Sequence, residues 1–486
     1  MVAVARHGAA VRLAPVVLRR LARARAIVER FAAGERKVYG LNTGLGAAVD
    51  TALGPHEVAA FQRQAVMARA VGVGDFLDTD DVRAALFVRL AGLAHGASGL
   101  SPAVARAVAA MLNRRLHPRV RRIGTLGEAD LSPMAQLFLP LVGQGEVELD
   151  GRRLSGAAAL KRARIAAPAL GPKDAIALLN ANAYSVGKGA LALHDARLVL
   201  RAATLAGALS LEAAGANLSP LDPRAVALRP APGQADASRL ILSWLAGSAL
   251  RRSRKPRRVQ DPLSFRCLAP VNGAAFEQLA RAAASIEADL AGAGDSPAVL
   301  VAAGELMSTV NFDTTATALA FESLGLALSH VAAIQVFRST KLMSPGFSGL
   351  PRFLTPMAGA RTGFATVQKT ASALEATIRH LAQPLGALTA PVADGVEDYA
   401  PMTPRVVEKT HDIVRHLARL AAIEFVTAAQ AIDLRGDLQG ALTLGRGTAR
   451  AFAIVRRHVK KLEEDRPTGP DYERLADAIL AGAFAA

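Results

Sequence analysis

The sequence predicts an all-α protein with a central bundle of long helices, and three observations support this fold class. Ala and Leu dominate the 486 residues, whereas aromatic residues make up only 4% of them, a composition that favours closely packed helices. Apolar residues recur at helical spacing over several long stretches. Alternation of apolar and polar residues, the pattern of a strand, does not stand out over any length.

The first part of the chain predicts helices separated by glycine-rich breaks. Helical patterning covers residues 15–33 and has a plausible stop at Gly34. Three glycines within seven residues predict a loop at 40–46 with unusual backbone dihedrals. Helical patterning resumes over 55–115, with breaks at two further glycine pairs.

The second part of the chain contains the longest predicted helices. Residues 174–216 read as one nearly uninterrupted helix, whose Ala and Gly content suits the centre of a bundle. Further long helices are predicted over 276–290, 313–336, 365–381 and 404–433. We therefore expect three domains: an N-terminal helical domain (1–170), a central long-helix bundle (171–440) and a C-terminal helical subdomain (441–486).

Charge and cysteine content limit the classes of partner. The net charge is +17, but only the run 251–258 is densely basic, and no nucleic-acid-binding motif or set of stacking aromatics accompanies it. We therefore expect the charge to reflect either a generally basic proteome or a small anionic ligand, rather than nucleic acid. The single Cys267 excludes an internal disulfide framework and fits a cytoplasmic protein. We find no apolar run of signal or membrane length, and no histidine spacing of metal-ligand type.

Four short segments carry the chemistry of the chain. Residues 124–133 read GTLGEADLSP and are followed downstream by a Leu-Leu-Asn at 178–180; the loop 38–46 reads VYGLNTGLG; residues 259–267 read VQDPLSFRC. These segments resemble motifs of the histidine and phenylalanine ammonia-lyases, the aromatic amino acid lyase family. The resemblance spans about residues 30–440 and is most specific at 259–267.

The resemblance implies an ammonia-lyase/fumarase-like helical fold. It also implies a homotetramer whose active sites draw residues from three subunits. In that family an Ala-Ser-Gly tripeptide cyclises and dehydrates into an electrophilic methylidene-imidazolone ring. Here Glu128-Ala129 stands in its place, so the Ser hydroxyl that must leave and the Gly nitrogen that must close the ring are both missing. We therefore expect no prosthetic group and no cofactor.

The two positions expected to exchange protons are Tyr39 and Glu128. Tyr39 matches the family's lid tyrosine, which takes part in acid–base chemistry, although a packing role on a tight loop is the alternative. Glu128 falls where the ring would be, and burial in an apolar cavity would suit it to proton transfer. The tyrosine that usually serves as general base in the family is replaced by Leu263, which cannot move a proton.

Five further positions are expected to bind substrate, and four of them have an alternative structural role. Arg266 matches the arginine that clamps the substrate carboxylate, or it forms a structural ion pair. Asn311 would assist it, or would cap the helix that follows. Arg69 replaces a residue facing the substrate ring and suggests an anionic ligand, or it pairs with Glu128. Asn180 would bind the Glu128 loop or a ligand, and Glu397 would contact the substrate.

Two other positions have open interpretations. Tyr184 would restore a phenol to the cavity or belong to the core, and Asp398 would bind ligand or cap a helix. Ser98, within Gly96-Ala97-Ser98-Gly99, lies in a helix break rather than a nucleophile motif.

The carboxylate-holding residues are retained while the electrophile is lost. This favours a cofactor-free lyase-type enzyme that performs elimination or addition beside the carboxylate of a small, aromatic or unsaturated acid. Ordinary ammonia-lyase activity is predicted to be absent. The alternative is an inactive paralogue that acts as a ligand-binding or partner subunit of an oligomer, and a third, weaker possibility is anion or nucleic-acid binding through 251–258.

Overall fold

The computed structural model describes residues 1–34, 36–45, 48–49, 51–253, 256–357 and 359–485. Gly46 of the predicted loop, and Arg254 and Lys255 of the basic run, lie outside the described residues.

Helices make up most of the first part of the chain, up to residue 214. They are α1 (Val2–Ala5), α2 (Pro15–Ala32), α3 (Pro55–Ala68), α4 (Thr79–Leu93), α5 (Pro102–Asn113), α6 (Leu131–Phe138), α7 (Gly156–Arg162), α8 (Asp174–Leu179) and α9 (Ala183–Ala214). The predicted helix at 15–33 is confirmed to within one residue, with Pro15 at the first helical position, where its missing N–H is harmless.

The rest of the chain contains the remaining described helices, some of them long. They are α10 (Pro223–Ala227), α11 (Gln234–Trp244), α12 (Ala249–Ser253), α13 (Leu263–Arg266), α14 (Leu268–Ala291), α15 (Thr315–Leu342), α16 (Pro345–Ser348), α17 (Val367–Leu381), α18 (Thr403–Gln439), α19 (Arg446–His458) and α20 (Gly469–Leu480). Of the described helices, α15 alone is long and apolar enough to cross a membrane by length and composition, and 44% of its most apolar window is buried.

Short strands interrupt the helices and were not predicted. They are β1 (Val73–Phe76), β2 (His117–Pro118), β3 (Arg121–Ile123), β4 (Glu146–Leu149), β5 (Arg152–Ser155), β6 (Ala298–Leu300) and β7 (Glu305–Met307). They pair antiparallel as β1–β3, β2–β4–β5 and β6–β7. With two to four residues each, they are too short to show a period of two in the sequence.

The structure also corrects the longest predicted helix. Residues 174–216 form two helices, α8 and α9, separated at Asn180, whose backbone (φ −79°, ψ 77°) leaves the helical region. The break places Asn180 and Asn182 on a connector rather than on a helix face. This connector forms part of the candidate site.

The chain divides into two compact units, each assembled from three segments. The first comprises Met1–Leu191, Ala283–Leu319 and Leu385–Glu408, and the second comprises Ala192–Ala282, Ala320–Pro384 and Lys409–Ala486. The boundaries predicted at 170 and 440 are not boundaries of these units. In the first unit, buried residues from α2, the loop after it and the β6–β7 hairpin form one hydrophobic cluster: Ala24, Val28, Val38, Leu41, Val299 and Leu306.

The second unit contains a fully buried ion pair. Arg338 Nε donates to Glu424 Oε1 at 2.6 Å and Arg338 Nη2 to Glu424 Oε2 at 2.9 Å, and both side chains are inaccessible to solvent. Ser210 and Gln335 donate to the same carboxylate. A bidentate arginine with further donors satisfies this charge in the apolar interior.

Candidate active site

A cavity of about 670 Å³ in the first unit brings together five of the seven predicted site residues. Its wall includes Tyr39, Arg69, Glu128, Asn180 and Glu397. These residues come from five separate segments of the chain, and the wall between them is largely apolar. A concave site with a few convergent polar groups is the usual form of a small-molecule site.

Glu128 is the most perturbed acid in this cavity. Its Oε1 atom is buried and has no hydrogen-bond partner among the described residues. Burial first, then a side-chain hydrogen bond to Asp313 and the negative charges of Asp313 and Glu397, raises the pKa of Glu128 to about 8. Glu128 is therefore mainly protonated at neutral pH and can give up a proton there.

The loop that carries Glu128 is held by specific hydrogen bonds. The Gly127 carbonyl accepts from Thr314 Oγ1 at 2.8 Å, and the Ala129 amide donates to Asn182 Oδ1 at 3.0 Å. Asn182 Nδ2 in turn donates to the Phe312 carbonyl at 2.5 Å. Ala129 is held in the left-handed region at φ +63°, a conformation that alanine adopts only when its surroundings impose it.

Asp130 anchors the end of the same loop. This fully buried carboxylate accepts from Ser185 N at 2.8 Å, Ser185 Oγ at 3.0 Å and Thr125 Oγ1 at 3.1 Å. Burial raises the pKa of Asp130 to about 6, against the lowering effect of these donors. Asp130 thus connects the loop to the start of α9.

Arg69 lies directly after α3 on the wall of the cavity. Its guanidinium interacts favourably with Tyr39 and Glu397, while burial lowers its pKa. No ion pair joins it to Glu128, although both residues are described, so the predicted alternative of a salt bridge between them is wrong. Arg69 Nη1 donates only to the Ala65 carbonyl, at 3.3 Å.

Tyr39 and Asn180 are held by their own local contacts. Asn42 Oδ1 accepts from Val38 N at 2.8 Å and closes the loop around the half-buried Tyr39. Gly40 has φ +68°, as the glycine pattern predicted. Asn180 Nδ2 donates to the Ser296 carbonyl at 2.9 Å. The side-chain nitrogen of Asn180 therefore makes a hydrogen bond within the protein.

Two predicted residues lie elsewhere. Asn311 lines a second cavity of about 310 Å³, together with Asn182 and Asp289. Its alternative role as a helix cap is wrong, because it is Asp313 Oδ1 that accepts from Thr315 N, at 3.2 Å, where α15 begins; the role of Asn311 in substrate binding stays a prediction. Arg266 belongs to the second unit and does not line the cavity of the first.

Arg266 makes structural contacts within its own unit. Its Nε donates to the Asp261 carbonyl at 2.8 Å, and its charge lowers the pKa of Asp261 against the larger effect of burial, which raises it. Leu263, in the same segment, is 63% exposed. The guanidinium is partly exposed and retains donors for a further partner.

Tyr184 belongs to the core rather than to the cavity. Its side chain is 1% exposed, and its hydroxyl donates to Glu408 Oε1. Burial raises the pKa of Tyr184 well above its ordinary value. Asp398, in contrast, lines the cavity and lies five residues before α18 begins.

Ser98 is also buried, at 0% exposure. Its carbonyl accepts from Lys173 Nζ at 2.6 Å and its hydroxyl from Leu100 N at 3.2 Å. The tripeptide Ala97-Ser98-Gly99 is thus part of the packed interior of the first unit and does not line the cavity.

The basic run packs against its own unit where it is described. Arg257 Nη1 donates to the Ser348 carbonyl, and the Arg258 guanidinium lies 5.1 Å from the centre of the Phe347 ring. Arg251 Nη1 donates to the Leu242 carbonyl at 2.8 Å. These guanidinium groups contact their own unit, which argues against anion or nucleic-acid binding through residues 251–258.

Comparisons with known proteins define the family. A family model described as aromatic amino acid lyase matches residues 1–457. The histidine ammonia-lyase of Symbiobacterium thermophilum is 36% identical over 487 residues, covering 100% of this chain and 95% of that protein. The chain therefore belongs to the aromatic amino acid lyase family.

Two solved structures confirm the fold. The ergothioneine-degrading enzyme ergothionase from Treponema denticola is similar with a TM-score of 0.93 and 29% identity, covering 99% of this chain and 96% of that one. Histidine ammonia-lyase from Trypanosoma cruzi gives a TM-score of 0.90 and 26% identity, with coverages of 99% and 91%. The helical ammonia-lyase fold predicted from the motifs is thus confirmed.

Proposed function

We propose that the protein is a lyase-type enzyme that uses a protonated carboxyl group, Glu128, where the family has an electrophilic ring. The observation that carries this proposal is the convergence of Glu128, Tyr39 and Arg69 on one cavity, with the Glu128 pKa raised to about 8. A buried acid with this property can act as a proton donor at neutral pH.

The residues of the loop do not fit the methylidene-imidazolone ring. Residues 124–130 contain no serine whose hydroxyl could leave as water. The Ala129 amide nitrogen is engaged by Asn182 Oδ1 at 3.0 Å. We therefore route no step through that group.

The charges of the cavity suggest a substrate that bears an amine. Glu397 and Asp398 line it, and Asp313 contacts Glu128, whereas Arg69 is the one Lys or Arg on the described wall. An acidic majority stabilises the positive charge that the amine acquires when it takes up the Glu128 proton. This revises the expectation of a purely anionic ligand to that of a small carboxylic acid carrying an amine.

The carboxylate of such a substrate needs a partner outside this wall. We propose that Arg266 of a neighbouring copy supplies it, in a homotetramer. The described α15 supports an oligomer, because it exposes Leu319 (64%), Leu326 (51%) and Phe337 (60%) along one face. The molar mass in solution, measured by light scattering after size-exclusion chromatography, tests this proposal. The mass of a monomer would contradict it.

In the proposed elimination the substrate reaches the cavity with its amine neutral, and Glu128 gives its proton to the nitrogen lone pair, so that the amine carries a positive charge before it leaves. A base takes a proton from the carbon adjacent to the one that bears the nitrogen, and we assign this role to Tyr39, which lies on the same wall as Arg69. The electron pair of that C–H bond forms the double bond, and the pair of the C–N bond leaves with the amine. The reverse sequence is an addition.

A ligand screen followed by a turnover assay tests the proposal. Histidine is the natural first candidate, since a similar protein is named for acting on it. Ergothioneine, for which a similar structure is named, has a quaternary nitrogen that cannot take up the Glu128 proton, so its turnover would contradict the proposed step. We expect one amine-bearing acid to raise the melting temperature and to release amine with an ultraviolet-absorbing unsaturated product. Glu128→Gln should keep the stabilisation and lose turnover, whereas Glu305→Gln, at an exposed strand position, should keep both.

The loss of a phenol at Leu263 favours the second candidate, an inactive ligand-binding or partner subunit. For such a subunit, a carboxylic acid would raise the melting temperature of the protein but would not be converted to product. The increase would be lost in Arg266→Ala. Equal stabilisation of the wild type and Arg266→Ala would contradict the proposed carboxylate partner.

A further inference from the structure

The second cavity, of about 310 Å³, lies within the first unit and is separate from the candidate active site. Among the described residues, the two cavities share none of their lining. The wall of the second cavity is built from α4, the connector into α9, the last turn of α14 and the loop after it. Its apolar side chains are all small: Val88, Ala181, Ala183, Val186, Ala288 and Ala293. A cavity of this size has the form of a site for a small molecule.

Arg89 brings unused hydrogen-bond donors to this cavity. Its side chain is 2% exposed, and its Nη2 atom donates to Asp295 Oδ1 at 2.6 Å and to the Ala177 carbonyl. Its Nε atom is buried without a partner among the described residues. Its Nη1 atom lies 3.7 Å from the position that a Cβ on Gly92 would take, and Gly92 lines the cavity. A buried donor without a partner is costly, so a ligand that brings an acceptor is favoured here.

Asp289 provides an acceptor on the α14 side of the same cavity. Thr317 Oγ1 donates to its Oδ2 atom at 3.0 Å, and a carboxylate has room for further donors. Burial raises the pKa of Asp289 against the lowering effect of the Thr317 bond, and the charge of Asp313 raises it further. A ligand ammonium group would favour the charged carboxylate. Since Asp295 already offsets the charge of Arg89, Asp289 is the group on this wall with which an ammonium can pair.

Asn182 connects the two cavities through one side chain. It lines the second cavity. The two groups that it bonds, the Ala129 amide and the Phe312 carbonyl, belong to residues that line the first cavity. An occupant of the second cavity that packs against Asn182 therefore stabilises both bonds, and with them the loop that carries Glu128.

We infer that the second cavity binds a small α-amino acid, and that Asn182 transmits this binding to the Glu128 loop. The ligand carboxylate accepts from the free donors of Arg89, and the ligand ammonium donates to Asp289. An alanine- or valine-sized side chain fills the apolar part of the cavity. This site does not depend on the proposed function, because it uses none of the residues proposed for the elimination.

Calorimetric titrations of the full chain with valine and two fragments of it test the site. Isovalerate lacks the ammonium group of valine, and isobutylamine lacks its carboxylate. We expect valine to bind at least about tenfold more tightly than either fragment, because each fragment loses one charge-assisted hydrogen bond. Failure of valine, alanine and glycine to bind would overturn the inference, and so would a fragment that binds as tightly as valine.

Two variants locate the binding. Gly92→Leu places a side chain beside Arg89 Nη1, in the space that the glycine leaves open, and leucine suits the helix. Asp289→Asn removes the negative charge while keeping an oxygen for Thr317. Each variant should weaken the binding of valine at least about tenfold.

Each variant has a matched control. Gly436→Leu also changes a helical glycine, where an added Cβ would meet one protein atom, at 3.9 Å, in the second unit. Glu287→Gln neutralises an exposed acid on α14, the helix that carries Asp289. Both controls should bind valine as the wild type does. A loss of affinity in a control equal to that in its variant would overturn the inference. If Gly92→Leu fails to fold, Asp289→Asn and its control decide alone.

Hydrogen exchange of the Ala129 amide tests the connection to the loop. Valine should slow this exchange in the wild type and in Arg69→Ala, which alters the first cavity, but not in Gly92→Leu. Valine binding that is lost in Arg69→Ala and kept in Gly92→Leu would place the amino acid in the first cavity and overturn the inference. Binding in the second cavity with unchanged exchange at Ala129 would overturn the role of Asn182.

Discussion

The raised pKa of Glu128 makes the stability of the protein depend on pH in a defined direction. The pKa is about 8 in the folded state, against an ordinary value of 4.5. Between these values the unfolded chain has released the proton while the folded chain retains it, so stability is lost as the pH rises from about 4.5 to about 8. Glu128→Gln mimics the protonated acid and removes this loss.

The magnitude follows from the size of the shift. At about 1.4 kcal/mol per pKa unit the full shift corresponds to ~5 kcal/mol. The side chain is only half-buried, and solvent screening reduces the effect to about 2 kcal/mol. Relative to the wild type, Glu128→Gln should therefore gain nothing near about pH 4.5 and about 2 kcal/mol above about pH 8. The gain should level off there.

Paired thermal melts across this pH range provide the assay. For a chain of this size about 2 kcal/mol corresponds to a gain of about 2–4 °C in midpoint. Effects of other groups, such as Asp130, are common to both proteins and cancel in the difference. Glu305→Gln should show a constant difference from the wild type. A constant difference for Glu128→Gln as well, or a wild type that is the more stable protein at high pH, would refute the reasoning.

Three further predictions concern stability and local order. Glu424→Gln should destabilise the second unit by about 3–5 kcal/mol in urea melts, because Arg338 is left buried without its charged partner. The control Glu473→Gln, in an exposed ion pair, should cost at most about 1 kcal/mol. Equal losses of stability in the two variants would contradict this prediction. Gly127→Ala should lower the free energy of unfolding by about 1–3 kcal/mol more than Gly151→Ala does. A Cβ at position 127 would lie 2.9 Å from a backbone nitrogen, whereas position 151 is open. Equal stabilities of the two variants would contradict this prediction. Asn182→Ala should speed hydrogen exchange of the Ala129 amide, which donates to Asn182, and an unchanged exchange rate would remove Asn182 as the tether.

The sequence contained enough to predict most of the cavity. Tyr39, Glu128, Asn180 and Glu397 were found because they occupy fixed positions in motifs, and such motifs are short-range patterns. Their convergence follows from the family fold. Arg266 matched equally well but lies in the second unit, because a short motif does not determine where a residue lies in the folded chain.

The hydrogen bonds at the start of α15 could not be predicted from the sequence. Thr315 bonds both Asp313 and Tyr399, which is 84 residues away in the chain, and a contact over that separation leaves no short-range pattern. Asn182 was visible only as a departure from the family motif. The strands were missed because two to four residues carry no periodicity.

The central claim is that this lyase fold works with a carboxyl group and without the family's electrophile, and the mass of the intact protein tests it most directly. The account predicts the mass of the unmodified chain, with unmodified peptides covering residues 97–99 and 124–130 and no reaction with borohydride. A mass lower by two water molecules, located by peptide mapping to either segment, would contradict it.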